Sequence, residues 1–166
     1  MYEIDPNYVT DVPLPLHELT ALQRLALGGL VWRAAAEAGL QRSLRARPLL
    51  QDLNLGEMAV YPADTVSAGV VESLPAALTL LQVLSICECY VNTAGLNGLR
   101  VALQHLTALE GLEVLTNRME AAAADALASS LAPLRAGGRL RSVRVDDAAF
   151  TPKLRQLARE CARRRP

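Results

Sequence analysis

The chain has 166 residues, 51% of them apolar and only 4% aromatic, with 17 cationic and 17 anionic side chains that cancel to a formal net charge of zero. At that length one domain is expected, burying about 70% of the surface that its unfolded chain would expose. Charge neutrality excludes a global field drawing the molecule to nucleic acid or anionic lipid, so any electrostatic preference has to be local.

The opening stretch MYEIDPNYVTDV is acidic and has no apolar run flanked by positive charge, so it does not read as a secretory or transit peptide. Nor does the chain hold an unbroken run of ~18 apolar residues suited to a bilayer. A soluble, intracellular, cytoplasmic protein with no membrane partner is expected. Cys87, Cys89 and Cys161 are an odd number of cysteines, which predicts free thiols rather than a disulfide framework. Pro6, Pro13 and Pro15 argue against a regular element before Leu16. Residues 1–21 are therefore read as an extended lead-in. LTAL at 19–22 recurs at 106–109, and both copies feed directly into a repeat start, so the lead-in takes the place of a preceding helix as an amino-terminal cap.

From Leu22 onward one pattern occurs five times. Counting from Leu22, Leu50, Leu81, Leu109 and Leu140, an apolar residue stands at offsets 0, 3, 5, 8 and 10, except that the fourth copy has Asn117 at offset 8. The starts are 28, 31, 28 and 31 residues apart, a period that marks a solenoid. Offsets 3 and 5 alternate as in a strand, which predicts strands of about three residues, Leu25–Leu27 in the first unit and Val143–Val145 in the last. A helix is predicted after each strand. Leu40 and Leu44, Leu99 and Leu103, and Leu127 and Leu131 all fall at offsets 18 and 22, the i, i+4 stripe of an amphipathic helix. In the second unit the stripe moves to Val70 and Leu74, with the surplus residues in the loop around Tyr61. In the fourth the surplus is placed after the helix, in APLRAGGRL, where Gly137 and Gly138 suit a helix stop. Asp64, Thr93 and Thr151 are candidate amino-terminal caps, the last with Pro152 at the first helical position. The chain then reads as one domain: lead-in 1–21, five repeats over 22–150, and a terminal helix over 151–166.

The pattern L-x-x-L-x-L-x-x-N/C-x-L with a helix in every unit resembles the leucine-rich repeat family, and within it the ribonuclease-inhibitor-like subclass. The resemblance covers residues 16 to about 160. It implies an α/β fold, a right-handed leucine-rich-repeat solenoid in which five strand-helix units form a short arc with a parallel sheet on the concave side and helices on the convex side. It also implies that Cys89 and Asn117 serve buried backbone amides of their turns. Leu30, Met58 and Ala148 hold that position in the other units and cannot do so.

Few residues suggest chemistry. Cys87 and Cys89 are read as standing on opposite faces, Cys87 exposed and Cys89 in the core, which separates them as metal ligands. His17 and His105 lie three units apart without a nearby nucleophile, and the phosphate-loop, dinucleotide, zinc-protease and nucleophile-elbow signatures are absent. No catalytic, cofactor or metal residues are assigned, and no enzyme is expected. The terminal arginines Arg155, Arg159, Arg163, Arg164 and Arg165 are read as solvating and capping the last helix rather than binding nucleic acid.

The exposed ladder is readable as offsets 2, 4, 6 and 7. Offset 6 gives Gly28, Gly56, Cys87 and Leu115, a low floor on which another chain could lie. Glu57 and Glu88 at offset 7, with Glu113 nearby, give an acidic strip suited to a partner segment carrying Lys or Arg. The expected function is a non-enzymatic scaffold that binds another protein through this face and its bordering loops. The alternative is a structural subunit of a larger assembly, such as an organellar or ciliary complex.

Overall fold

Buried leucines fall where the period puts them, and the backbone repeats with them. The computed structural model describes residues 9–10, 19, 21–28, 31–32, 34–46, 49–56, 59–60, 78–87, 93–115, 121–145 and 151–163. In chain order the elements are β1 (Val9–Thr10), β2 (Arg24–Gly28), β3 (Val31–Trp32), α1 (Ala34–Arg45), β4 (Asp52–Gly56), β5 (Ala59–Val60), β6 (Val83–Cys87), α2 (Thr93–His105), β7 (Gly111–Leu115), α3 (Ala121–Ala136), β8 (Ser142–Val145) and α4 (Pro152–Ala162). This is an α/β fold. Strands β2, β4, β6, β7 and β8 form a five-stranded parallel sheet in chain order. Each of the four described helices begins twelve residues after its repeat start, at Ala34, Thr93, Ala121 and Pro152.

The register is residue for residue. Leu25, Leu53, Leu84, Leu112 and Val143 stand side by side, and so do Leu27, Leu55, Ile86, Val114 and Val145. One backbone device fixes this at every step. The carbonyl before each strand accepts two amides of the next unit: Gln23 from Gln51 and Asp52, Gln51 from Gln82 and Val83, Gln82 from Glu110 and Gly111, Glu110 from Arg141 and Ser142, all at 2.7–3.0 Å. Both lone pairs of each carbonyl are thereby used. Each strand is also longer than side-chain alternation predicts, five residues or, in β8, four. Ladder hydrogen bonds come from the backbone, so the polar or glycine residues at offsets 2 and 6 pair as well as the leucines between them.

The strand leucines meet Leu40, Leu44, Leu99, Leu103, Leu127 and Leu131 of the helices in one buried cluster, which Leu154, Leu157 and Cys161 of α4 extend at the carboxyl end. The stripe expected at Val70 and Leu74 lies outside the described residues, as does the cap expected of Asp64. Two-residue strands β1, β3 and β5 form a second small parallel sheet. The lead-in therefore does contain a regular element, squeezed between Pro6 and Pro13, where two residues suffice to pair Val9 with Val31 and Thr10 with Trp32.

Three helix ends depart from expectation. The surplus of the fourth unit does not follow the helix but lengthens it: α3 has 16 residues against 13 in α2, and runs through Pro133. Proline cannot donate to the carbonyl of Ser129, yet Leu127 and Leu131 hold this helix in the core. After Ala136 the chain stops as Gly137 and Gly138 predict. Gly138 has φ +72°, its amide donates to the Arg135 carbonyl at 2.9 Å, and the Arg139 amide donates to the Leu134 carbonyl at 3.2 Å, a Schellman turn. Thr93 is the first helical residue of α2 rather than its cap. Thr151 occupies the cap position of α4 with extended backbone and Pro152 behind it, but its hydroxyl makes no capping bond and is buried without a partner. There the backbone caps the helix, by conformation alone. Arg163 follows the last turn of α4, while Arg164 and Arg165 lie outside the described residues.

Replacing Leu84 or Leu112 with Ala should cost ~2–5 kcal/mol, since each is fully buried between two strands and a helix layer; the midpoint of denaturant unfolding reads this. Gly138→Ala should cost about 1 kcal/mol, because a Cβ is disfavoured at positive φ even though nothing lies within 4 Å of it. A Gly138→Ala variant with an unshifted midpoint would show that the turn relaxes freely.

Candidate interaction surface

The face of the sheet turned away from the helices is built from offsets 2, 4 and 6, and the register sorts these into three rows running across the strands. The first is Arg24, Asp52, Val83, Gly111 and Ser142; the second Ala26, Asn54, Ser85, Glu113 and Arg144; the third Gly28, Gly56, Cys87 and Leu115. The third row is the floor expected from the sequence, and its four members are neighbours. Gly56 suits its place, since a Cβ there would come 3.3 Å from the Asn54 side-chain oxygen. Glu57, Glu88, Cys89 and Asn117 lie outside the described residues, so two of the three carboxylates of the expected acidic strip do too.

The middle of the face holds a polar cluster that periodicity does not reveal. Ser85 points outward by alternation, yet it is only 6% exposed. Its hydroxyl lies 3.1 Å from the Cys87 thiol and donates to Glu113 Oε2 at 3.3 Å. The other oxygen of Glu113 accepts from Arg144 Nη1 at 2.8 Å. Four outward residues from three strands, Ser85, Cys87, Glu113 and Arg144, are thus joined in one chain of contacts. Glu113 belongs to the second row, beside Arg144 and Ser85, and its charge is compensated there by Arg144.

Ion pairing follows the register. Arg24 faces Asp52 at 3.6 Å, Glu113 faces Arg144, and on the preceding loops Glu110 faces Arg141 at 3.6 Å. Each pair joins the same offset in consecutive units, where parallel strands bring side chains closest. All are substantially exposed, so each contributes under about 1 kcal/mol. Their effect is to remove net field from the described face rather than to hold the fold.

Cys87 closes β6, so the reading that placed Cys87 and Cys89 on opposite faces does not follow from strand alternation. Residues two apart in a strand share a face, and only a turn of the chain after Cys87 would separate them. Cys87 is half-buried and Cys161 buried, and neither is in a disulfide. His105 ends α2 and is exposed, while His17 lies outside the described residues. Among the described residues no three His, Cys, Asp or Glu side chains are grouped to hold a metal ion, and no helix is long and apolar enough to cross a membrane.

A double-mutant cycle with Glu113→Gln and Arg144→Ala should give a coupling of about 0.2–1 kcal/mol that shrinks as salt is raised. Coupling well above that range, or insensitive to salt, would mean that the pair is part of the fold's support rather than of its surface.

No protein-family model matches the chain, and no curated protein matches it.

Proposed function

We propose that the chain is a leucine-rich-repeat solenoid of the ribonuclease-inhibitor-like subclass and serves as a non-enzymatic scaffold, binding another protein on the outer face of its sheet. The observation that carries this reading is the run of three in-register rows across the strands, mostly small or polar residues with Val83 and Leu115 among them, over a closed leucine core. Such a face is held by the backbone ladder and changes little on binding, so a partner spends little free energy on ordering it. Small side chains at Ala26, Gly28 and Gly56 let a partner approach the strands at the amino end of the face. The acidic residues Glu57 and Glu88 would then favour Lys or Arg in that partner.

A second reading, a subunit built into a larger assembly, is favoured by Leu19, Leu49 and Leu80, which are 51%, 44% and 45% exposed on the turns leading into β2, β4 and β6. Leu49 and Leu80 hold the same place, one residue before their repeat starts, and exposed apolar residues grouped on these turns suit permanent burial by a neighbour. Sedimentation separates the two: a free scaffold stays monodisperse, and a built-in subunit self-associates when isolated.

The test of the first reading is a pair of variants in affinity purification. Ala26→Arg with Asn54→Arg fills the outer face at two exposed positions, and Val101→Arg changes an exposed residue of α2. The face variant should lose the partners that wild type retains, by about tenfold or more in recovered amount, while the helix variant keeps them. The opposite pattern would move the binding surface to the helices.

A further inference from the structure

Strand β2 opens the main sheet, and its unit carries bonding groups that every later unit uses and it does not. In each later unit the amides at offsets 1 and 2, from Gln51 and Asp52 through to Arg141 and Ser142, donate to the carbonyl before the preceding strand at 2.7–3.0 Å. Gln23 and Arg24 hold those offsets in the first unit, and among the described residues their amides find no such carbonyl. Strand β2 is also the outer strand of its sheet. Because Asp52 donates to the Gln23 carbonyl, Leu25 and Leu27 turn their backbone groups to β4, and alternation turns those of Arg24 and Ala26 to the outer side. Arg24 and Ala26 are both exposed.

Leucine burial marks the same gap. The turn leading into a strand is closed by one bond at three equivalent places, from the Leu22, Leu81 and Leu109 amides to the carbonyls of Leu19, Leu78 and Leu106. Leu78 and Leu106, which have a unit before them, are fully buried, whereas Leu19 is 51% exposed. Leu22 is only partly buried, while Leu50, Leu81 and Leu109 at the same offset are fully buried. At the other end of the array Leu140 and Val143 are covered. Unused amides and uncovered leucines therefore coincide at the amino end.

We propose that this end docks a leucine-rich strand of a partner protein, which lies parallel to β2 in the place of a preceding unit. The chemistry of the occupant is set by the interface that the chain itself repeats between its units: a carbonyl that takes the Gln23 and Arg24 amides, then apolar residues at alternate positions to stand beside Leu25 and Leu27. Each unit of a repeat array is held by its neighbours, so the first unit has most to gain from one more. No charge is asked of the partner, since Arg24 is already paired with Asp52. The site is the edge of the sheet rather than its outer face and rests on the register alone, so it stands or falls apart from the scaffold function proposed above.

The experiment is fluorescence anisotropy with the full chain, and the probe is a labelled peptide of its own residues 49–56, LLQDLNLG. This peptide should bind, and one of equal composition without the alternation, QLLDNLLG, should not. In a strand parallel to β2 the two leucine amides that follow the aspartate and the asparagine face the protein, as those of Leu25 and Leu27 face β4. N-methylation of these two leucines should therefore weaken binding about tenfold or more, and N-methylation of the aspartate and asparagine should not. Arg24→Pro lacks one of the two donating amides and keeps the bonds to β4, so it should bind about tenfold more weakly than Arg24→Ala. If Arg24→Pro fails to fold, the N-methyl comparison decides. The proposal is overturned if the peptide does not bind, if QLLDNLLG binds as tightly, if the two methylation patterns have equal effect, or if a folded Arg24→Pro binds as Arg24→Ala does. It is also overturned if the chain alone sediments as a dimer that Arg24→Pro dissociates, since a second copy is then what covers the edge.

Discussion

The structure depends on a doubly used carbonyl. At Gln23, Gln51, Gln82 and Glu110 one backbone oxygen takes two amides from the following unit, and these bonds set where each strand begins relative to the one before. Register in a sheet is unforgiving, because a slip of one residue exchanges the buried and exposed sets. Here the leucines at offsets 3 and 5 and the paired carbonyl demand the same register, so side-chain burial and backbone bonding reinforce each other. The rows of the outer face are a by-product of that agreement. Once the leucines are aligned behind the sheet, the residues between them are aligned in front of it.

That asymmetry explains what could be read from the sequence. Strand positions, the start of the terminal helix and the core stripes of the described helices were legible since burying an apolar side chain restricts residue type, and the restriction repeats with the unit. The floor of Gly28, Gly56, Cys87 and Leu115 was legible for the same reason, by subtraction. Features made by the backbone were not. Strand length exceeds the alternating core because glycine and aspartate pair in a ladder as readily as leucine. The capping at Thr151 rests on φ and ψ, and the residue type that suggested a side-chain bond does not make one.

Contacts between units were the other blind spot. Ser85 reads as an exposed residue of its own strand, yet it is buried, with its hydroxyl held by Glu113 of the next strand, which Arg144 of the strand beyond holds in turn. The pairing of Glu113 was hidden in the same way: a carboxylate counted along the chain looks like a lone charge, whereas beside Arg144 it is half of an ion pair.

The length of α3 bears on how such a chain can vary. The connection from the end of α2 to the next repeat start and that from the end of α3 are the same, three residues each, although the units differ by three residues overall. The difference is close to one turn of helix, so the longer helix ends pointing in nearly the direction of the shorter one. Growth in steps of a turn therefore leaves the sheet unaware of it. A single residue more or less rotates the exit by about 100° and has to be taken up in the connection, as after α1, which is one residue shorter than α2 and is followed by four residues rather than three before the next repeat start. Between α2 and α3 the helical layer has thus grown by close to a turn while the sheet keeps one fixed spacing.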